Sequence, residues 1–341
     1  MADNTETTEQ AQKTLFVTGA ANGVGLALTT LAVKAGYKVV GTTDLGTVGA
    51  YRIRHAGGIP AYPDLTRESA VYSAIQMAKA DVVIHAAAQD LNGIPQAKVN
   101  YDDKLAWLKA STEAIFAAAG RADVDRIVHL SAANAYADSH EPVSEDASLD
   151  TRSTLGSALH SAEEVVLDGG IPGYVLRTGY IMGTHNSSAV VTEMLRAGQS
   201  MMTNEHAVAW AHEDDVARAI MAIIELEEDA SVANVYNIAS EETITPTEFM
   251  RRFGNEYGIG EPGSLPDFMV QLRIHAVQRA IMGKSITLDT SKAQNELGWS
   301  PQGTVDGAID KFLLMMRTEE SAQMLPSPEP DDSSSQAIVK A

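Results

Sequence analysis

The sequence predicts an α/β fold: a doubly wound parallel sheet followed by a smaller C-terminal α+β lobe. Three observations predict it. Short apolar runs alternate with longer helical stretches, the first run leads straight into a glycine-rich turn and a helix, and the rhythm loosens from about residue 180. The 341 residues, 45% of them hydrophobic, suffice for one large domain or one large plus one small.

Taken in order, residues 1–12 are polar and acidic and read as disordered. Leu15–Thr18 is a short buried strand, Gly25–Ala35 a helix, Gly36-Tyr37 a turn and Lys38–Thr43 a second strand. Asp81–His85, Arg126–Leu130 and Gly173–Arg177 read as further strands, with helices over Leu105–Ala119 and Ser157–Leu167 between them. These make a nucleotide-binding unit over 13–180, with later returns to the sheet. The lobe, 181–318, holds helices near Ala189–Ala197, Asp214–Leu226, Pro246–Tyr257 and Asp267–Met282 and the strand Asn234–Ile238. Residues 319–341, rich in Pro, Ser and acid, read as a disordered acidic tail.

The segment Leu15-Phe16-Val17-Thr18-Gly19-Ala20-Ala21-Asn22-Gly23-Val24-Gly25 carries the most chemistry. Gly19 permits a tight turn, Gly23 lets backbone amides approach a pyrophosphate, and Gly25 lets the helix pack close on the strand. Asn22 and Val24 fall among those amides, and the helix N-terminus adds donors and a favourable dipole. Strand, turn, helix and second strand together read as a Rossmann-type dinucleotide site. Asp44 lies 19 residues past Gly25 at the end of the second strand. A carboxylate there accepts hydrogen bonds from a ribose 2′-hydroxyl and repels a 2′-phosphate, which favours NAD. Arg52 and Arg54, close by in sequence, leave NADP open.

The net charge of −20 argues against a nucleic-acid partner, whose phosphates would be repelled. An anionic dinucleotide must therefore be held by local backbone donors. No apolar run approaches a membrane span, and the polar N-terminus does not resemble a secretory signal. With no cysteine there is neither disulfide nor thiolate chemistry, and the expected location is a cytoplasm. His206, His212, Glu213 and Asp214 have unconvincing spacing for a metal, and none is expected.

Further motifs accumulate along the chain: Asp64-Leu65; Asp81-Val-Val-Ile-His85-Ala86-Ala87-Ala88; Asn100; His129-Leu130-Ser131-Ala132-Ala133-Asn134-Ala135-Tyr136; Leu176-Arg177-Thr178-Gly179; His212-Glu-Asp-Asp-Val-Ala-Arg218; and Asp289-Thr-Ser-Lys-Ala293 with Glu296-Leu-Gly-Trp299. With the glycine turn, they resemble the extended short-chain dehydrogenase/reductases, the NAD-dependent epimerases and dehydratases, over about residues 13–316. The resemblance implies that Asp64 and Leu65 contact adenine, and that Ala86, Ala87 and Ala88 run along the cofactor. It also implies that Asn100, Leu130 and Thr178 belong to the cofactor site. A small-molecule substrate would enter between sheet and lobe, and a homodimer would form through helices at about 104–119 and 153–168.

The resemblance fails where the chemistry should be. The family's Tyr and Lys, four residues apart on one helix face, and its Ser correspond to Leu155, Leu159 and Ala132. None of the ten tyrosines is followed four residues later by lysine. Leu155, Leu159, Ala162 and Val166 instead form an apolar stripe, so the catalytic residues stay unknown. His160 points about 100° away from Leu159. Tyr136 resembles a structural position, and Asn134 and Tyr180 are candidates to line a substrate pocket. Two readings stand: an atypical oxidoreductase or epimerase without the Tyr–Lys pair, or a catalytically inactive dinucleotide-binding sensor or scaffold.

Overall fold

A strand covered by helices on both faces needs apolar or internally bonded residues at every position, and Thr14–Thr18 is buried throughout. In the computed structural model the described residues are 12–87, 100–139, 141–184, 199–200, 207–226, 234–258, 263–264, 284 and 286–323. The strands in chain order are β1 (Thr14–Thr18), β2 (Lys38–Thr42), β3 (Ile59–Ala61), β4 (Val82–His85), β5 (Arg126–Ala132), β6 (Gly173–Thr178), β7 (Tyr180–Met182), β8 (Gln199–Ser200), β9 (Trp210–His212), β10 (Asn234–Ile238) and β11 (Gly263–Ser264). The helices are α1 (Gly23–Lys34), α2 (Gly46–His55), α3 (Glu68–Ala78), α4 (Tyr101–Ala122), α5 (Thr154–Leu167), α6 (Glu213–Ile224), α7 (Pro246–Tyr257), α8 (Ser291–Leu297) and α9 (Val305–Gln323).

Seven strands form one parallel sheet in the order β3-β2-β1-β4-β5-β6-β10. The direction of strand addition reverses between β1 and β4. That switch opens a crevice at the C-terminal strand ends, where open α/β sheets bind ligands. One face is covered by α1 and α6, whose Val24, Leu28, Val216 and Ile220 pack on Leu15, Val17, Ile84 and Val128. The other is covered by α3, α4 and α5, which bring Val71, Ile75, Ile115 and Val166 against Phe16, Val83 and Ile127. A separate core of Met182, Trp210, Phe249, Phe253, Ile309 and Phe312 joins α7 and α9 to the two-stranded β7–β9 pair.

The fold class agrees with the sequence reading, and three details differ from it. First, α6 and β10, assigned from sequence to the lobe, belong to the sheet layers. Tyr236 and Ile238 fill the main core while β10 pairs residue for residue with β6. Second, α9 continues to Gln323, so 319–323 are helical rather than tail: Glu-Glu-Ser-Ala-Gln contains good helix formers and no breaker. Third, α2, β3 and α3 carry too short or too exposed a pattern to be read. β3 has a proline at its centre and no fully buried position. The expected helices Ala189–Ala197 and Asp267–Met282 lie outside the described residues, as does residue 88 and nearly all of each proposed disordered end. Among the described residues no helix is long and apolar enough to cross a membrane.

Candidate functional site

At the switch point β1 leads into Gly19, whose φ of +67° lies in the left-handed region that a side chain disfavours. A Cβ there would meet the Ala87 Cα at 2.8 Å, so the first turn and the end of β4 touch backbone to backbone. Gly25 is tighter still, because its Cβ would fall 2.1 Å from the Gly19 carbonyl oxygen. The turn is pinned from both sides. Gly19 N–H donates to the Thr42 hydroxyl (3.3 Å), Ala20 N–H to the Thr42 carbonyl (2.9 Å), and Ala87 N–H to the Thr18 hydroxyl (3.1 Å). Asn22, extended at φ −153°, precedes the first turn of α1, and that turn contains no acidic residue. The first turns of α3, α4, α6, α7 and α9 do, whereas α2, α5 and α8 share its lack of acid. The dipole of α1 thus points at the crevice without a protein carboxylate in its first turn.

A cleft of about 230 Å³ opens here, lined by Gly19, Asn22, Thr42, Thr43, Asp44, Leu45, Pro63, Leu65, Ala87 and Trp107. Of the residues expected from sequence, Gly19, Asn22, Asp44, Leu65 and Ala87 share this wall. Gly23, Val24 and Gly25 are buried in the turn that frames it, and Ala86 is wholly buried behind Ala87. Four further expected residues are not among those lining the cleft. Asp64 is exposed and accepts from the Thr66 amide and hydroxyl, which hold its carboxyl below the usual range. Asn100 caps α4 by accepting from Asp102 N–H and donates to Asp103, so its side chain is committed to the helix start. Leu130 sits in the sheet core, and the buried Thr178 hydroxyl donates to the Ser131 carbonyl. Ala88 lies outside the described residues. Neither Arg52 nor Arg54 lines the cleft.

Sequence reasoning missed Thr42, Thr43, Leu45, Pro63 and Trp107. The signal for Trp107 was present: it lies off the buried stripe Tyr101, Leu105, Leu108, Thr112 and Ile115 of α4, where a large aromatic needs another neighbour.

Behind the cleft two histidines share one register position on β4 and β5, their rings 5.2 Å apart. The Thr18 hydroxyl lies 2.9 Å from His85 Nδ1. Neither ring nitrogen of His129 finds a partner among the described residues, although the side chain is fully buried. Burial lowers both pKa values, that of His129 to about 4; for His85 the nearby His129 adds to the effect. Next on β5, the buried Ser131 donates to Glu163 of α5 at 2.5 Å, and Arg177 of β6 grips the same carboxylate with Nε and a terminal nitrogen.

Leu155 and Leu159 pack with Ala132, Ala135, Tyr101, Leu105 and Leu108 in a closed apolar cluster, with Tyr180 against it. Burial raises the Tyr180 pKa, so its phenol stays neutral. Tyr136 donates its hydroxyl to Asn237 at 2.7 Å, and burial pushes its pKa up to about 12. His160 faces Glu164 across one helical turn at 3.4 Å. The 3-10 turn Ala133–Ala135 is held from a distance in sequence: Lys284 donates to the carbonyls of Asn134 and Tyr136, each at 2.9 Å, and pairs with Asp150.

The acids at the start of α6 are each engaged by a distant partner. His212 caps it, accepting from Asp214 N–H. Glu213 accepts from Thr184, Asp214 from Lys311, and Asp215 from Gln302 and Gly303. Among the described residues no group of three His, Asp or Glu is placed to hold a metal.

Comparisons with known proteins agree with this architecture. The sequence model of the NAD dependent epimerase/dehydratase family matches residues 15–239. No curated protein matches the chain in sequence. Among solved structures, the UDP-glucose-4-epimerase of Stenotrophomonas maltophila, with bound NAD and formylated UDP-arabinopyranose, is 18% identical. It covers 91% of this chain and 100% of its own, with a TM-score of 0.74. The UDP-glucose 4-epimerase of Thermotoga maritima, with UDP-glucose, is 18% identical over 90% of this chain and 99% of its own, with a TM-score of 0.72. The UDP-glucuronic acid 4-epimerase of Bacillus cereus, with UDP-glucuronic acid and NAD, is 18% identical over 89% and 99%, with a TM-score of 0.71.

Proposed function

The chain belongs to the NAD dependent epimerase/dehydratase family, and on that premise we propose that it binds NAD in the cleft at the switch point and acts as an oxidoreductase or epimerase without a Tyr–Lys pair. The observation that carries this is the turn itself. Gly19 and Gly25 are sites where a single Cβ would collide with the chain's own backbone, so β1, the end of β4 and the start of α1 pack tightly enough to bring the N-terminus of α1 to the edge of the cleft, where its first-turn amides suit a diphosphate. Asp44 on the same wall suits the two hydroxyls of an NAD ribose and would repel an added phosphate. A bound nicotinamide would supply a hydride acceptor or donor. The chain would grip the diphosphate through turn amides, fix the ribose through Asp44, and exclude water near the reacting carbon with the apolar cluster of Ala132, Leu155 and Leu159.

Residues 13–180, with the later returns of α6 and β10, form the nucleotide-binding unit in this reading, and 181–318 supply the substrate side. The neighbours bind UDP-sugars, so a nucleotide sugar is the substrate class to try first. Pairing through the exposed faces of α4 and α5 would give a homodimer, which light scattering would reveal.

The test has two stages. Calorimetry with NAD, NADH and NADP reads binding, and the absorbance of the dihydronicotinamide, followed with nucleotide sugars and simple carbonyl compounds, reads turnover. Tight NAD binding with no turnover over a broad panel would instead favour a sensor or scaffold. No heat with any dinucleotide would end the proposal.

A further inference from the structure

A groove of about 520 Å³ lies between α1, α6 and α9 and shares no lining residue with the cleft at the switch point. Its floor is apolar, made of Leu26, Ala27 and Leu31 on α1 and Ala217 on α6. Ala27 and Leu31 touch the main core only at its margin and keep part of their surface open. Three cations line the groove as well. Lys311 is committed, at 2.8 Å from Glu213 and 2.6 Å from Asp214. Glu213 also accepts from Thr184, so both acids in the groove are answered. Arg218 gives one terminal nitrogen to the buried Asp215. Lys34 is exposed and has no partner among the described residues. An apolar side chain extends this surface along α9: Leu314, one turn past Lys311, is 67% exposed.

We propose that this groove seats the chain's own residues 324–341, with Ile338 and Val339 on the apolar floor and Glu329, Asp331 and Asp332 beside Arg218 and Lys34. α9 ends at Gln323, about 18 Å along the helix from Lys311. Residues 324–341 follow it and, extended, span up to about 60 Å, ample to turn back past Leu314 to α1. Charge selects the destination. Acids outnumber basic residues 45 to 25 over the chain. In the groove three cations face two acids, and both acids are engaged. An acidic run is therefore repelled by most of the surface and drawn to this part of it. The segment joins its acids to the apolar run Ala337-Ile338-Val339, as the groove joins its cations to an apolar floor. An open groove of this kind holds a free peptide weakly, but a tether raises the local concentration of the segment to about the millimolar range.

The chain has no cysteine, so a pair introduced by substitution reports one contact cleanly. The full chain carrying T30C with A337C is oxidised mildly at low protein concentration, beside one carrying T318C with A337C. Thr30, in the groove, and Thr318, on α9, are both exposed. For a segment that docks nowhere the shorter loop closes sooner, so the T318C pair should link first. With the segment in the groove, the T30C pair should link at least about fivefold faster than the T318C pair. Adding I338S with V339S should slow the T30C link about tenfold or more. Adding D331K with D332K should slow it about threefold at low salt, an effect that fades at about 1 M salt. Neither addition should slow the T318C link.

A T318C pair that links faster than the T30C pair overturns the proposal, as does a T30C link that the substitutions in 331–339 leave unchanged. Disulfides that join two chains in place of closing within one give the groove to a second copy's segment and overturn the intramolecular contact. Should T30C impair folding, A27C, also in the groove, takes its place with the same outcomes. All of these substitutions lie outside the residues lining the switch-point cleft, so either result leaves the NAD reading as it stands.

Discussion

Replacing His129 with leucine should stabilise the protein, and stabilise it more in acid than in base. The imidazole is fully buried, has no hydrogen-bond partner among the described residues, and is pushed down to a pKa of about 4 by burial. In the unfolded chain it returns to about 6.5. Between those values the unfolded state binds the extra proton, so stability falls as pH falls. The gap of about 2.5, at about 1.4 kcal/mol per pH unit, is about 3 kcal/mol. That contribution is fully present above about pH 6.5 and lost progressively towards pH 4. His85 shares the direction and adds to the slope.

H129L is close to isosteric and removes both the titration and the unsatisfied nitrogens, the latter worth about 1–3 kcal/mol at any pH. Urea unfolding of both proteins from about pH 8 to about pH 4.5 is the assay. Carboxylates titrate alike in the two, so the difference between the curves reports His129 together with the relief of His85, whose pKa His129 helps to lower. The stability advantage of H129L should widen by about 2–3 kcal/mol on acidification. A variant less stable at pH 8 that keeps the wild-type acid slope would refute the reasoning, since it would mean that His129 makes favourable bonds in the folded protein.

Gly25→Ala puts a methyl 2.1 Å from the Gly19 carbonyl oxygen and should cost about 1–3 kcal/mol of stability while lowering NAD affinity at least about tenfold, both readable by calorimetry. Asp44→Ala should weaken NAD by roughly tenfold and leave NADP less affected, so the ratio of the two dissociation constants is the measurement. Glu163→Ala leaves Arg177 as an unpaired buried cation and should cost about 3–5 kcal/mol in urea unfolding; Glu163→Gln, which keeps partners for Ser131 and Arg177, should cost less. Restoring the family residue with Leu159→Lys should lower the melting temperature and yield no new activity, because the site is a closed apolar cluster 2% exposed.

How much of this could be read beforehand depends on how local the physics is. The turn from Thr18 to Gly25 is specified by its own glycines and by the strand and helix on either side, and its spacing alone placed Gly19, Asn22 and Asp44 near one another. The apolar stripe of α5 likewise announced that Leu155 and Leu159 would face a core and not a solvent-filled relay. What periodicity could not give was pairing across the chain. Asn100 matches a family motif as a ligand contact, and its capping of α4 emerges only with the helix, whose Asp102 N–H donates to its side-chain oxygen while its amide donates to Asp103. Trp107, Pro63 and Thr43 reach the cleft only because β1 lies between β2 and β4. The link from Glu163 to Arg177 likewise needs α5 to cross over β6.

The grip of Lys284 on Asn134 and Tyr136 spans 150 and 148 positions of sequence, whereas the contacts that set the phosphate turn, apart from that to Ala87, close within the first 42 residues. The phosphate turn and the 3-10 turn after β5 therefore acquire their shape at different moments of synthesis. A chain still emerging would hold the phosphate turn complete once β4 has paired with β1, well before Lys284 fastens the segment around Asn134. Pulsed hydrogen exchange during refolding should show amides of β1 and α1 protected ahead of those around Asn134, and simultaneous protection would break that ordering. Dinucleotide present during folding would then act on the early half and bias the remainder towards completion, making the ligand a template as well as a reactant.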